Sequence, residues 1–549
     1  MLQSAIGFSQ TFSTKTFTNP VIPGDHSDCT LTQVGNDFYT TGSSFNPTPV
    51  IYHSTDLVHW EAIAQPVSGA WSEYGDRPSG GCWGGQLVYY ANQYWDFFSH
   101  NGSMWFVTAE KPSGPWNMPV KVKNPPELSY SLGYDNSIFI DDNGKWYMIV
   151  KNGQPNNGIV ELGNDGQPTG VVYDLNWLNT LNNHFPYSWA EGPVMWKENG
   201  YYYYSFARDV SGGQKVMRSK TLSADQSSWS TPVNLFNEND PDRPKAIFSG
   251  PNHASAVVKL KDGTNWLLHP VWARANNNEW FGQGRQGLLN QVHYDANNEV
   301  LADYPINATK VAPGLPSNGI PWMVPKSDFF IDNKLNPEWS FLGYTPAESY
   351  SLTERPGWLR LSPKNETKPN TIIKTDPEHN YSLITRLDFD AKEISDEAGI
   401  RLINGAENLY VKLYSSVNKQ GGKVICFSFD QTYYESINNV GNTLWLKLIR
   451  QNHIMSGFYS TDGTNWKQVG EPVDIAKLDS YNINYNGWCG NRQGLFVQGK
   501  PAFFDLYIYR DAYSPILAEC PANQYGTETT KLSDGNSALD GLHNGDWAL

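Results

Sequence analysis

The sequence predicts an all-β chain, a five-bladed β-propeller followed by a β-sandwich, on three observations. Helical periodicity is scarce, and 48 glycines and 35 prolines punctuate many short segments of β-branched and aromatic residues. An Asn/Asp/Gly turn leading into an aromatic strand recurs five times. After MVPKSDFF that recurrence stops and shorter alternating strands take over.

The five units begin with GNDFYTTG at Gly35, ANQYWDFF at Ala91, DNGKWYMI at Asp142, ENGYYYYS at Glu198 and KDGTNWLL at Lys261, spaced 51 to 63 residues apart. Each has the grammar of a tight hairpin, type I′ or similar. Several are followed by a second strand that carries Ser or Thr and ends near a tryptophan: Trp60, Trp116 and Trp229. Multi-strand repeats of this length point to propeller blades rather than helical solenoids, with an irregular double sandwich as the alternative. The five units fill residues 1–325. Residues 326–515 carry WLRLSP, SLITRLDFD, AGIRLI, LYVKLYSS and LWLKLIRQ, which read as an antiparallel sandwich. Residues 516–549 are polar, turn-rich and too few to fold alone.

Composition narrows the function classes. A chain of 549 residues exceeds one core and calls for two or three domains. Its 21 tryptophans and 31 tyrosines suit flat sugar faces and β-rich cores alike. A net charge of -15 argues against nucleic acid and anionic membrane partners. No apolar run reaches the roughly 18 residues of a bilayer span. The first residues lack the basic start and long apolar core of a signal peptide. The five cysteines, at 29, 82, 426, 489 and 520, form no CxxC pair that would indicate zinc or redox chemistry.

Residues 19–30, NPVIPGDHSDCT, place Asp25 and Asp28 in a Pro/Gly-rich turn, where an aspartate commonly bonds nearby backbone. Matching acids change that reading. Asp135 in SLGYDNSIF and Glu191 in SWAEGPVMW, like Asp28, each stand seven residues ahead of the turn motif of their unit. A propeller would bring all three to one end of its funnel. Carboxylates sharing a partly desolvated pocket repel, so at least one holds a proton near neutral pH. One ionised base and one protonated acid is what glycoside hydrolysis requires. Independent turn capping by each acid is the alternative.

These residues carry a resemblance. NPVIPGDHSDCT, YTTGSSFNPTPVIYHSTDLVHW, CWGGQLVYY, YDNSIFIDDNGKWY, AEGPVMWKENGYYYYSFA, GPNHASAVV and GRQGLL resemble, in order, the signature of glycoside hydrolase family 43, a five-bladed propeller family, and its β-xylosidase and α-L-arabinofuranosidase members above all. The resemblance implies Asp28 as general base, Glu191 as general acid, and Asp135 as the group that raises the pKa of the acid and orients it. Cys29 and Thr30 follow Asp28 where the usual pattern has Pro and Ser. It also implies single-step inversion of the anomeric centre. Arg285 would bind sugar hydroxyls, with Phe45 and Trp83 as hydrophobic walls of that subsite. His253 would stand near substrate or bind a hydrated calcium ion (Ca2+).

DNKLNPEWSFLG and ERPGWLRLSP resemble the sandwich of family 43 xylosidases, in which a loop closes one side of the pocket. The candidate loop is NYNGWCGNRQG, with Trp488 or Arg492 at its tip. The tail resembles the opening of a family 6 carbohydrate-binding module, which would make the enzyme secreted or periplasmic if a signal peptide was removed, and otherwise cytoplasmic. The implied activity is an exo-glycosidase releasing D-xylose from β-1,4-xylo-oligosaccharides or arabinoxylan fragments, with L-arabinose from α-L-arabinofuranosides alongside. Rival readings are a debranching α-L-arabinofuranosidase without xylosidase activity, a retaining fructoside transferase, and a propeller that binds glycans without cleaving them. Nothing in the sequence indicates an oligomeric state.

Overall fold

The computed structural model describes residues 15–511 apart from 46–47, 72, 74–80, 129–130, 153–155, 181–190, 208–212, 242, 247, 249–250, 274–279, 307, 324, 366–367 and 485–487. The tail resembling a carbohydrate-binding module, and Cys520 with it, lies outside the described residues. Five antiparallel sheets of four consecutive strands span 27–64, 83–121, 137–174, 191–234 and 258–302, here blades I to V. First strands of neighbouring blades touch, from I to II to III to IV, around a common axis.

The recurring turns are hairpins of two lengths, two residues in blades I, II and IV and five in III and V. Ala91–Asn92 joins Tyr90 to Gln93 and Asn199–Gly200 joins Glu198 to Tyr201, with positive φ at both turn residues, the type I′ geometry that matches strand twist. In blades III and V five residues intervene, between Ile140 and Trp146 and between Lys259 and Asn265. The aromatic residues after the turns mostly fill the seams between blades. Trp95, Phe97, Phe106 and Trp146 pack between II and III, with Tyr90 stacked on Trp146 at 4.2 Å. Trp196, Tyr203 and Tyr294 pack between IV and V.

The ring is closed by the chain that precedes blade I. Thr16–Phe17 pairs with Lys310–Val311, the N–H groups of Val21 and Ile22 both donate to the Gly287 carbonyl at 3.0 Å, and Asn19 bonds both backbone groups of Leu289. That closure fixes the start of blade I, where Asp28 lies, against blade V.

Two antiparallel sheets, of seven and eight strands, form the sandwich between Ser340 and Asp511. Its alternating strands bury every second side chain, as in Asn380–Asp388 and Thr443–Gln451. The sandwich shares one continuous apolar core with blades I and V through Trp322, Met323, Phe330, Trp339 and Phe341. Domains joined this way hold their relative position, and the pocket below depends on it. Cys29, Cys82, Cys426 and Cys489 are all buried and form no disulfide among the described residues.

Candidate active site

A backbone device repeated in all five blades builds the pocket. Asp28, Gly84, Asp135, Gly192 and His253, one per blade, sit in the left-handed region at φ of 50 to 59°. In blades I, II and IV the residue lies within a one-residue bulge, between Ser27 and Thr30, Trp83 and Gln86, and Glu191 and Val194. A bulge re-aims side chains, and here it does so at the mouth of three of the five first strands. Two of the five must be glycine because the neighbouring blade is too close: a Cβ at Gly84 would lie 2.6 Å from the Asp135 Cα, and one at Gly192 would lie 2.5 Å from His253 Nδ1. For Asp and His the same φ is a local cost that the surroundings maintain.

Asp28 is buried and heavily bonded. Ser43 Oγ donates to its Oδ2, and Ser43 in turn accepts from the Gly84 N–H at 2.7 Å. Arg285 donates to both carboxylate oxygens, at 2.5 and 3.2 Å. His253 Nδ1 lies 3.0 Å from Oδ1 in a bent contact, and its Nε2 lies 3.6 Å from Glu191 Oε2. The imidazole therefore spans the gap between Asp28 and Glu191. Tyr134 donates its hydroxyl to Glu191 Oε1 at 3.2 Å and meets Trp83 edge-on at 5.5 Å.

The charges sort the acids. Burial opposes ionisation of Asp28, but the charges of Arg285 and His253, with hydrogen bonds from His253 and Ser43, outweigh it and hold this carboxyl well below its usual range. Burial, and next the Asp28 charge, push Asp135 well above that range. Burial would lower His253, yet its acidic neighbours, Asp28 foremost, lift it to about 10.

Arg285 is held on every side. Its guanidinium lies 5.4 Å from the Trp272 ring centroid and 5.8 Å from that of Phe45, and it donates to the Trp488 carbonyl at 3.2 Å. Phe45 and Trp83 face each other at 6.3 Å, and the Phe45 backbone is tied to Cys82 next to Trp83. Asp28, Phe45, Trp83, Asp135, Glu191, His253 and Arg285 thus form one contact network. Of the two sandwich candidates, Trp488 reaches it through its backbone. Arg492 instead opens the strand Arg492–Gln498, is 3% exposed and pairs with Glu407 at 2.9 Å.

Four contributors carry no strong sequence signal: Ser43, Tyr134, Trp272 and Asp25. Asp25 is a long-range anchor rather than a local turn former, since its Oδ1 accepts the Arg285 backbone N–H at 2.9 Å and the Ser27 hydroxyl at 3.0 Å. Burial raises its pKa to about 6, against the pull of Arg285. A carboxyl whose folded pKa exceeds its unfolded value makes stability fall as pH rises between the two values, because the folded state binds more protons there. Asp25→Asn is therefore expected to flatten the fall in Tm between about pH 4 and pH 6. An unchanged slope in pH-dependent thermal melts would remove Asp25 as its source.

Asp28, Asp135 and His253 each present one ligand atom, all within 4.8 Å of one another. Two carboxylates and an imidazole suit a cation whose shell is completed by water, although calcium prefers oxygen and Arg285 already neutralises Asp28.

Comparison with known proteins agrees with this architecture. Residues 17–300 match Glycosyl hydrolases family 43 and residues 327–510 match the Beta xylosidase C-terminal Concanavalin A-like domain. A non-reducing end alpha-L-arabinofuranosidase of Bacteroides ovatus is 32% identical over 538 residues, covering 90% of this chain and 95% of that protein. A xylan 1,3-beta-xylosidase of a Vibrio species is 26% identical over 549 residues, covering 90% and 99%. The crystal structure of a GH43 protein from Bacillus licheniformis superposes with a TM-score of 0.77 at 25% identity, covering 90% of this chain and all of that one. The chain belongs to glycosyl hydrolases family 43 and is a glycoside hydrolase.

Proposed function

We propose that this enzyme is an inverting exo-glycosidase that releases D-xylose from β-1,4-xylo-oligosaccharides and L-arabinose from α-L-arabinofuranosides. Asp28 is its general base, Glu191 its general acid and Asp135 the modulator between them. The observation that carries this reading is the pair of carboxylates separated by the His253 ring, one of them kept ionised by Arg285. Inversion needs room for a water between base and sugar, with carboxyl groups roughly 6.5–9.5 Å apart.

In this reaction Asp28 takes a proton from water as the oxygen attacks the anomeric carbon, and Glu191 gives its proton to the leaving oxygen. Ser43 and Arg285 orient Asp28, and Tyr134 orients Glu191. Asp135 bears on both electrostatically, since the Asp28 and Glu191 charges each act on it. Phe45 and Trp83 wall the sugar, and Arg285 reaches its hydroxyls. The sandwich loop at Trp488 closes one side, which favours removal of single sugars from chain ends. Asp28, Asp135 and His253 would hold a hydrated calcium ion, which would supply positive charge beside the acids, and no step is routed through it because Arg285 is already in place.

A second reading, an α-L-arabinofuranosidase without xylosidase activity, is favoured by the 32% identity to the Bacteroides ovatus enzyme. Proton NMR of xylobiose and of an α-L-arabinofuranoside during hydrolysis decides between them. α-Xylose appearing first is the expected result. Early β-xylose overturns inversion, and release of arabinose alone selects the second reading. Rates unchanged in chelator remove calcium from the account.

A further inference from the structure

Arg285 is preceded by a short loop whose contacts run to the sandwich as well as to its own blade, where Phe281 stacks on Trp272 at 5.0 Å and Trp280 packs against the cluster of Val271, Ala273 and Leu288. The Trp280 indole stacks on two sandwich imidazoles, 3.5 Å from the His379 centroid and 4.1 Å from that of His453, with ring planes within 19° of parallel. Phe281 meets sandwich Tyr481 edge-on at 5.0 Å. The Gly282 carbonyl accepts the Asn491 N–H at 2.5 Å, and a Cβ at Gly282 would strike the Asn491 and Asp479 side chains at 2.3 Å. Gln283 Nε2 donates to the Pro377 carbonyl at 2.8 Å. Four successive residues are thus each fixed by the second domain.

The sandwich side of this contact is itself rigid. Arg450, 1% exposed, bonds Asp376 at 2.8 Å and Asp479 at 2.6 Å. Asp479 also takes His453 Nδ1 at 3.0 Å and the Asn491 side chain at 3.1 Å. Asp376 accepts from Gln493 at 3.1 Å, and its backbone N–H donates to the Asn491 carbonyl at 3.0 Å. A buried charge costs desolvation unless its partners are in place, and Arg450 has a carboxylate in each of two directions, which favours one arrangement. His453 and Asn491, the groups that grip the loop, both belong to this network.

We propose that Trp280, clamped by stacking on His379 and His453, is a positioning residue that sets the place of Arg285 in the sugar pocket, so that the sandwich determines how the propeller binds the sugar it releases. The role of Arg285 toward sugar rests on the proposed function. The clamp itself does not. Trp280 touches no reacting atom. It acts through five residues of backbone, and a shift of about 1 Å at a binding group is enough to cost orders of magnitude in rate.

The test uses the full chain with Trp280→Ala and Trp280→Phe. Hydrogen–deuterium exchange reads the loop, and KM, kcat and inhibition by free D-xylose and L-arabinose read the pocket. Trp280→Ala is expected to speed exchange across residues 281–287 and to raise KM and the pentose inhibition constants about tenfold, with kcat falling less. Trp280→Phe, which keeps a ring stacked on the imidazoles, is expected to restore all of them to within about twofold. Gln283→Ala, which deletes one bond and leaves the rings intact, stands in if Trp280→Ala does not fold, with the same direction expected. Unchanged exchange overturns the clamp. Faster exchange with unchanged KM and inhibition overturns its effect on Arg285. A wild type that neither cleaves nor binds pentosides counts against the proposed function, while the exchange comparison still decides the clamp.

Discussion

Glu191→Ala is expected to reduce kcat on xylobiose by about 10²–10⁴-fold, the usual contribution of a general acid. It should do so unevenly across substrates. A sugar alkoxide is a poor leaving group and needs the proton, whereas a nitrophenolate leaves without one, so the loss on a 4-nitrophenyl glycoside should be far smaller. The side chain is reached by Tyr134 at 3.2 Å and by His253 at 3.6 Å, and its removal leaves Asp28 with Arg285 and Ser43. Sugar binding should therefore persist, which calorimetry with xylobiose reads directly. Equal losses on both substrates would take the acid role away from Glu191. Activity equal to wild type on both would leave the three-acid assignment without its proton donor.

The fold was legible because two signals of different kind agreed. The Asn/Gly turns of blades II and IV are type I′ hairpins whose chemistry is local, and their spacing of about fifty to sixty residues exposes the repeat. The acids were legible for a related reason: Asp28, Asp135 and Glu191 sit at or next to a left-handed residue that recurs in every blade, so a constant sequence offset becomes a shared location. Gly84 and Gly192 are the same device without a functional side chain. Of the partners that tune the acids, Arg285 and His253 were legible through the resemblance and the others were not. Ser43 reaches Asp28 across a hairpin, Asp25 reaches Arg285 over 260 positions, and Tyr134 reaches Glu191 over 57. Hydrogen bonds between residues of such ordinary type and such separation leave no periodicity or spacing to read. The aromatic richness was ambiguous for a physical reason, since rings that could stack on sugar also fill propeller seams, and most of these do the latter.

Asp28→Asn is expected to lose about 10²–10⁴-fold in kcat, and the pattern of loss should differ from that of Glu191→Ala. A missing base slows attack by water whatever the leaving group, so xylobiose and the nitrophenyl glycoside should fall together. Stability should fall as well. Arg285, 7% exposed, pairs with both oxygens of Asp28, and breaking a buried pair by removing one charge commonly costs about 3–5 kcal/mol because the other charge is left uncompensated. The sign of the pH dependence follows. A carboxyl whose folded pKa is depressed stabilises the fold above its unfolded value, near 3.9, and that stability is lost as pH falls toward the folded value. The wild type should therefore weaken below about pH 4 in a way that Asp28→Asn does not, visible as converging urea midpoints on acidification. Should the midpoints stay parallel, the Asp28–Arg285 pair contributes nothing to stability. Should the rate losses on the two substrates diverge as they do for Glu191→Ala, Asp28 is not the base, because only a group that protonates the leaving oxygen is relieved by a better leaving group.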